Sequence, residues 1–163
     1  MPFPDPKPGL VIRYAYLWRS EEARGREEGA KDRPCAVALT TRRDGNKLIV
    51  VVAPITRTPP RDPRIAIEIP AAVKVRLRLD DERSWIVTSE VNVFTWPGPD
   101  LRPINPGDRA LEYAHGYLPR GLARVMIAGI QEQMREGLAK IVQRDESGPA
   151  DTVRRGRRRS ERE

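Results

Sequence analysis

Apolar positions along the chain follow two periods, one suited to strands and one to a helix, separated by charged or proline-rich stretches. "LVIRYAYLW", Leu10 to Trp18, is rich in β-branched and aromatic residues and predicts a strand. "PCAVALTT" and "KLIVVVAPIT" are two apolar runs around "RRDGN", where Asp44-Gly45 is a turn signal, so an antiparallel hairpin is expected. "IAIEI" reads as a short strand that Pro70 ends, and "SWIVTSEVNVFTW" returns to strand character. In "AAVKVRLRL", Val73, Val75, Leu77 and Leu79 alternate like a strand, while Pro70 ahead of them suits the first turn of a helix. A short helix is the expectation there.

From Pro119 the apolar residues Leu122, Val125, Met126, Ile130, Met134, Leu138 and Ile141 recur with the 3.6-residue period of an amphipathic helix. Between these elements lie "RSEEARGREEGAKD", a long charged loop interrupted by Gly25 and Gly29, and the proline loops "RTPPRDPR" and "PGPDLRPINPGD". The whole predicts a mainly β protein with some α, a small, partly open β-barrel with a C-terminal amphipathic helix packed on it. Residues 1–144 form one domain in this scheme, and 145–163, where the apolar pattern fails, form a disordered basic tail.

Composition changes this picture in three ways. The chain has 163 residues, enough for one domain with a real core, and no stretch approaches the roughly 18 apolar residues of a membrane span. "MPFPDPKPG" lacks the apolar segment of a signal peptide, so a cytoplasmic protein that does not engage a membrane is expected. A single cysteine, Cys35, and a single histidine, His115, leave no intramolecular disulfide and too few soft ligands for zinc, so neither metal nor another cofactor is expected. The formal net charge is +7, but "TVRRGRRRSERE" alone supplies +4 from six Arg and two Glu, leaving +3 for the rest. Such a tail raises affinity for phosphate in a salt-dependent way without choosing a sequence.

The candidate chemistry starts at "KDRPC". Pro34 biases Arg33 toward extended backbone, which sets Arg33 at the mouth of a buried strand with its side chain free. In a hairpin, the start of one strand pairs with the end of the next, so Arg33 should meet Thr56.

The order of pieces "PGLVIRY", "RPCAVAL", "VVVAPIT", "IEI", "LDDERSWIVTSEVNVF" and "GYLPRGLARVM" resembles the PemK/MazF family of toxins from bacterial toxin-antitoxin pairs, over roughly Gly9 to Met134. The resemblance implies an SH3-like barrel, a homodimer, a small antitoxin protein as partner and metal-independent cleavage of single-stranded RNA. It places the catalytic arginine at Arg33 and the hydroxyl residue closing the next strand at Thr56. Glu28, by its spacing in the loop before the arginine, joins Lys31, Arg57 and Thr58 as candidate substrate-binding residues. The charged loop is longer than in compact members, and "PPRDP" after Thr56 departs from the family pattern.

Metal-free cleavage uses the ribose 2′-OH as nucleophile, and one histidine cannot run a two-histidine mechanism. An arginine stays charged and can make two bonds to phosphate oxygens, while a threonine hydroxyl can orient the phosphate or relay a proton. Two rivals use the same barrel: a non-catalytic toxin that binds a protein target such as gyrase, and a nucleic-acid-binding module without activity. For the remaining residues the structural roles are expected. Tyr14, Tyr16 and Trp18 belong to a core or dimer face, Trp85 and Trp96 to core and loop cover, and His115 to a contact near the helix start. Asp80, Asp81 and Glu82 mark a solvated turn.

Overall fold

The computed structural model describes residues 3–20, 31–43, 45–105, 107 and 112–144. The central hairpin forms as its pattern predicts. Strand β2 (Arg33–Arg43) runs antiparallel to β3 (Lys47–Thr56), and Gly45 and Asn46 adopt φ of 68° and 74° in the turn; Asp44 lies outside the described residues. β1 (Leu10–Tyr14) pairs with β2, Tyr14 opposite Arg33. The strand expected to reach Trp18 stops at Tyr14, because the Ala15 amide donates instead to the Asp100 carbonyl and Tyr16 turns back onto Tyr14. Tyr16 and Leu17 are nevertheless buried, and the Asn92 side chain both accepts from the Leu17 amide at 2.9 Å and donates to its carbonyl at 2.8 Å.

"SWIVTSEVNVFTW" folds as two strands, β5 (Trp85–Val87) and β6 (Glu90–Thr95), after β4 (Ala66–Glu68). Both lie against β3: Ile86 opposite Ile55, Asn92 opposite Val52. Between those pairs the β5–β6 chain has five residues where β3 has two, Ala53 and Pro54, and Pro54 brings no amide hydrogen to a continuous ladder. Hence β3 changes partner along its length and the sheet divides there. β4 pairs with β5; Ile65, expected in that strand, instead closes a 3-10 turn at Pro63–Ile65 whose Arg64 amide is capped by Asp62.

The short helix expected after Pro70 is present as α1 (Ala71–Arg76). Two further strands appear, β7 (Leu101–Arg102), inside the expected proline loop "PGPDLRPINPGD", and β8 (Ala114–Tyr117), both paired with β1. The amphipathic helix α2 (Arg120–Arg135) ends before its apolar period does. Gly137 takes φ of 70°, its amide donates to the Met134 carbonyl and that of Leu138 to Gln133, a left-handed cap that turns the chain out of the helix. The helix is therefore not the last element. Ile141 belongs to β9 (Lys140–Gln143), which pairs in parallel with β6, while the other ladders are antiparallel. The expected tail at 145–163 lies outside the described residues.

The result is a mainly β protein built on one branched nine-stranded sheet. Its central strands are covered on both faces, which explains their continuous apolar runs. On one face Val11, Ala36, Ala38 and Ala53 meet Met126 and Ile130 of α2, with Leu77 and Leu118 beside them. On the other, Ile12, Cys35, Val37, Val50 and Val52 lie under Tyr14, Tyr16 and Phe94, whose ring stacks on Tyr14 at 4.5 Å. No helix among the described residues is long and apolar enough to cross a membrane.

Candidate functional site at the end of the central hairpin

Strand alternation sets the site. The β2–β3 ladder ends at Cys35 opposite Pro54, two residues short of Arg33 and Thr56; Arg33 lies opposite Tyr14 of β1 and Thr56 opposite Trp85 of β5. Alternation places both on the face of Cys35 and Val52, and two side chains 23 positions apart in sequence line the same groove. Beyond Thr56 the row continues to Trp85 and Glu68 through β5 and β4.

This row borders an open groove of about 850 Å³. Arg33, Thr56, Lys31, Arg57 and Thr58 all line it; Glu28 lies outside the described residues. The lining also brings in Arg13, Arg61 and Arg78, so six cations face three carboxylates, Asp32, Asp80 and Glu90. The groove is basic although the body of the chain is only mildly so.

Arg33 is half-buried. Its guanidinium is not free, as its sequence position suggested, but lies over the Trp18 indole, 5.0 Å from the ring centroid. Among the described residues, the buried Nε has no hydrogen-bond partner and no carboxylate forms an ion pair with the side chain. The Thr56 hydroxyl accepts from the Thr58 amide at 3.2 Å, which leaves its own proton for an acceptor in the groove. Cys35 beneath them is inert: burial pushes its thiol far above the ordinary range.

The other cations are more restrained. Arg57 donates to Glu82 Oε2 at 2.9 Å and lies 3.9 Å from Asp80. Arg13 and Arg102 share Asp32, at 3.9 and 3.6 Å, and Arg78 reaches Glu112 at 3.5 Å. Asp80 and Glu82, expected to mark a merely solvated turn, thus also anchor Arg57. They also hold Lys74, a buried lysine whose ammonium donates to Asp80 at 2.6 Å and to the Glu82 carbonyl. That hydrogen bond holds the Asp80 carboxyl below its ordinary range.

His115 stands in the groove wall. Its Nδ1 lies 3.1 Å from the Leu77 carbonyl, which makes it the protonated nitrogen, and leaves Nε2 buried without a partner. Burial lowers its pKa. Glu90 accepts from the Tyr16 hydroxyl at 3.3 Å and the Arg19 amide at 3.1 Å, fixing the entry to the charged loop. Among the described residues no group of three or more His, Cys, Asp or Glu could hold a metal ion.

Arg13, Trp18, Arg78, Glu90 and His115 were not assigned to the site by sequence. They come from four separate segments joined only by the pairing of β1 with β2 and β8 and of β3 with β5 and β6. No local spacing could have announced them. The chain matches no known family, curated protein or solved structure in comparisons with all three.

Proposed function

We propose that the protein is a metal-independent endoribonuclease of the PemK/MazF type, an SH3-like barrel that cuts single-stranded RNA and acts as the toxin of a toxin-antitoxin pair. The observation that supports this most is that Arg33 and Thr56, at the start of β2 and the end of β3, line one basic groove. A phosphate oxygen meets the Arg33 guanidinium, which stabilises the extra charge that develops on phosphorus when the ribose 2′-OH attacks. The Thr56 hydroxyl orients the same phosphate. Lys31, Arg57 and Arg61 extend the cationic surface along which neighbouring phosphates run. A second copy of the chain and a small antitoxin that covers the groove complete the proposal.

The test is incubation of purified full-length protein with total RNA in EDTA. Fragments with 2′,3′-cyclic phosphate ends support the reading. Intact RNA, with the protein holding gyrase and halting supercoiling, supports a binding toxin; intact RNA retained in a salt-sensitive complex supports a nucleic-acid-binding module.

A further inference from the structure

We propose that Trp18 is the positioning residue for Arg33, its indole face holding the guanidinium so that the N–H edge stays open to a phosphate oxygen. The proposal rests on the ribonuclease reading for the identity of that phosphate, and on geometry for the rest.

A half-buried guanidinium is commonly fixed by a carboxylate, as Arg13 and Arg102 are by Asp32. A carboxylate would occupy the N–H groups and cancel the charge that an incoming anion must meet. Arg33 is held differently. Its guanidinium sits 5.0 Å from the Trp18 ring centroid, within the range of a cation–π contact, and such a contact acts through the ring face without consuming a donor. Nε is buried and has no partner among the described residues, whereas the two Nη groups are not buried in this way, so they form the edge that an incoming anion meets.

Trp18 is itself held. Its ring packs edge-on against Tyr16 at 5.1 Å and 69°, Tyr16 donates to Glu90, and the neighbouring Leu17 backbone is clasped by Asn92. Strand β6 therefore fixes Arg33 through three aromatic and polar contacts, although Trp18 and Arg33 are separated in sequence by the charged loop.

The experiment measures cleavage of a single-stranded RNA in EDTA by full-length Trp18→Leu and Trp18→Phe, alone and with Arg33→Ala. Trp18→Leu is expected to lower kcat about tenfold with KM changed less than about twofold, and Trp18→Phe to retain most of the rate. Trp18→Leu should add nothing to Arg33→Ala. Equal losses in the Leu and Phe variants, a change in KM alone as for a base-stacking platform, or additivity with Arg33→Ala would each overturn the proposal. Titration of inorganic phosphate against the Arg33 guanidinium resonance separates this failure from failure of the ribonuclease reading. The resonance should shift in the wild type and require a higher phosphate concentration in Trp18→Leu, whether or not RNA is cut; equal titrations would sink the positioning role.

Discussion

The Lys74 ammonium lies 2.6 Å from the Asp80 carboxylate, with the lysine side chain 6% exposed and the aspartate 48% exposed. A buried cation thus reaches its counter-ion at the protein surface, and Asp80 also lies beside the groove arginine Arg57. Removing the aspartate charge strands the lysine. Asp80→Asn is expected to destabilise the fold by about 2 kcal/mol, a fall of about 4–8 °C in melting temperature measured by calorimetry. The pH dependence has a definite sign. The folded-state pKa of Asp80 is lowered, so its stabilisation is present above the unfolded value of about 4 and is lost as pH falls through the folded value. Asp80→Asn should lose less stability than the wild type over that acid interval.

His115 offers a cleaner titration because it is the chain's single histidine. Burial lowers its pKa, so the folded protein disfavours the imidazolium. The unfolded chain binds the proton more readily, and stability should decline as pH falls below about 6.5 and level off below the folded value. Two-dimensional NMR of the imidazole should give a midpoint below about 6.5, and His115→Gln should flatten the stability profile across that interval. A midpoint at or above the ordinary value would contradict the burial argument.

Arg33→Ala should lower RNA cleavage by roughly 100-fold or more with the melting temperature little changed, because one charge-stabilising donor is typically worth that much. Arg33→Lys should fail substantially as well, since a point charge cannot reproduce the planar fork or its stacking on Trp18. Thr56→Ala should be impaired, and the double variant should lose less than the product of the two, as expected when both act on one phosphate. Full activity in Arg33→Ala would remove the proposed mechanism.

Deleting Thr152 to Glu163 removes six arginines and two glutamates. RNA binding at low salt should weaken and its salt dependence should become shallower, with cleavage positions unchanged, as filter binding and primer extension would record. A new cleavage pattern would mean that the tail reads bases.

The hairpin was legible because strand register is local arithmetic: two apolar runs and a turn leave little choice of partner. α1 was legible for a similar reason, through Pro70. What escaped depends on long-range partners. β7 and β8 have too few residues to show a period, and exist as strands only because β1 offers them an edge. Ile141 fell on the helical period of α2 by coincidence; Gly137 ended the helix first. Arg33, Thr56, Arg57, Thr58 and Lys31, named with the resemblance, line one groove, whereas the indole over which Arg33 lies could be placed only by the fold.

The parallel pairing of β9 with β6 has a bearing on how the protein is made. Arg144 follows β9 directly, donating from Nη1 to the Ala15 carbonyl at 3.2 Å and from Nη2 to Asp100 at 2.7 Å, while β9 itself flanks Glu90 and Asn92, the residues that secure Tyr16 and Leu17. During synthesis the segment carrying Trp18 emerges long before the strand that braces it. The groove wall thus matures only after residue 144 has cleared the ribosome, and contacts of such wide sequence separation form slowly. A nascent chain of this protein lacks the finished groove beside the very ribosome that is translating it.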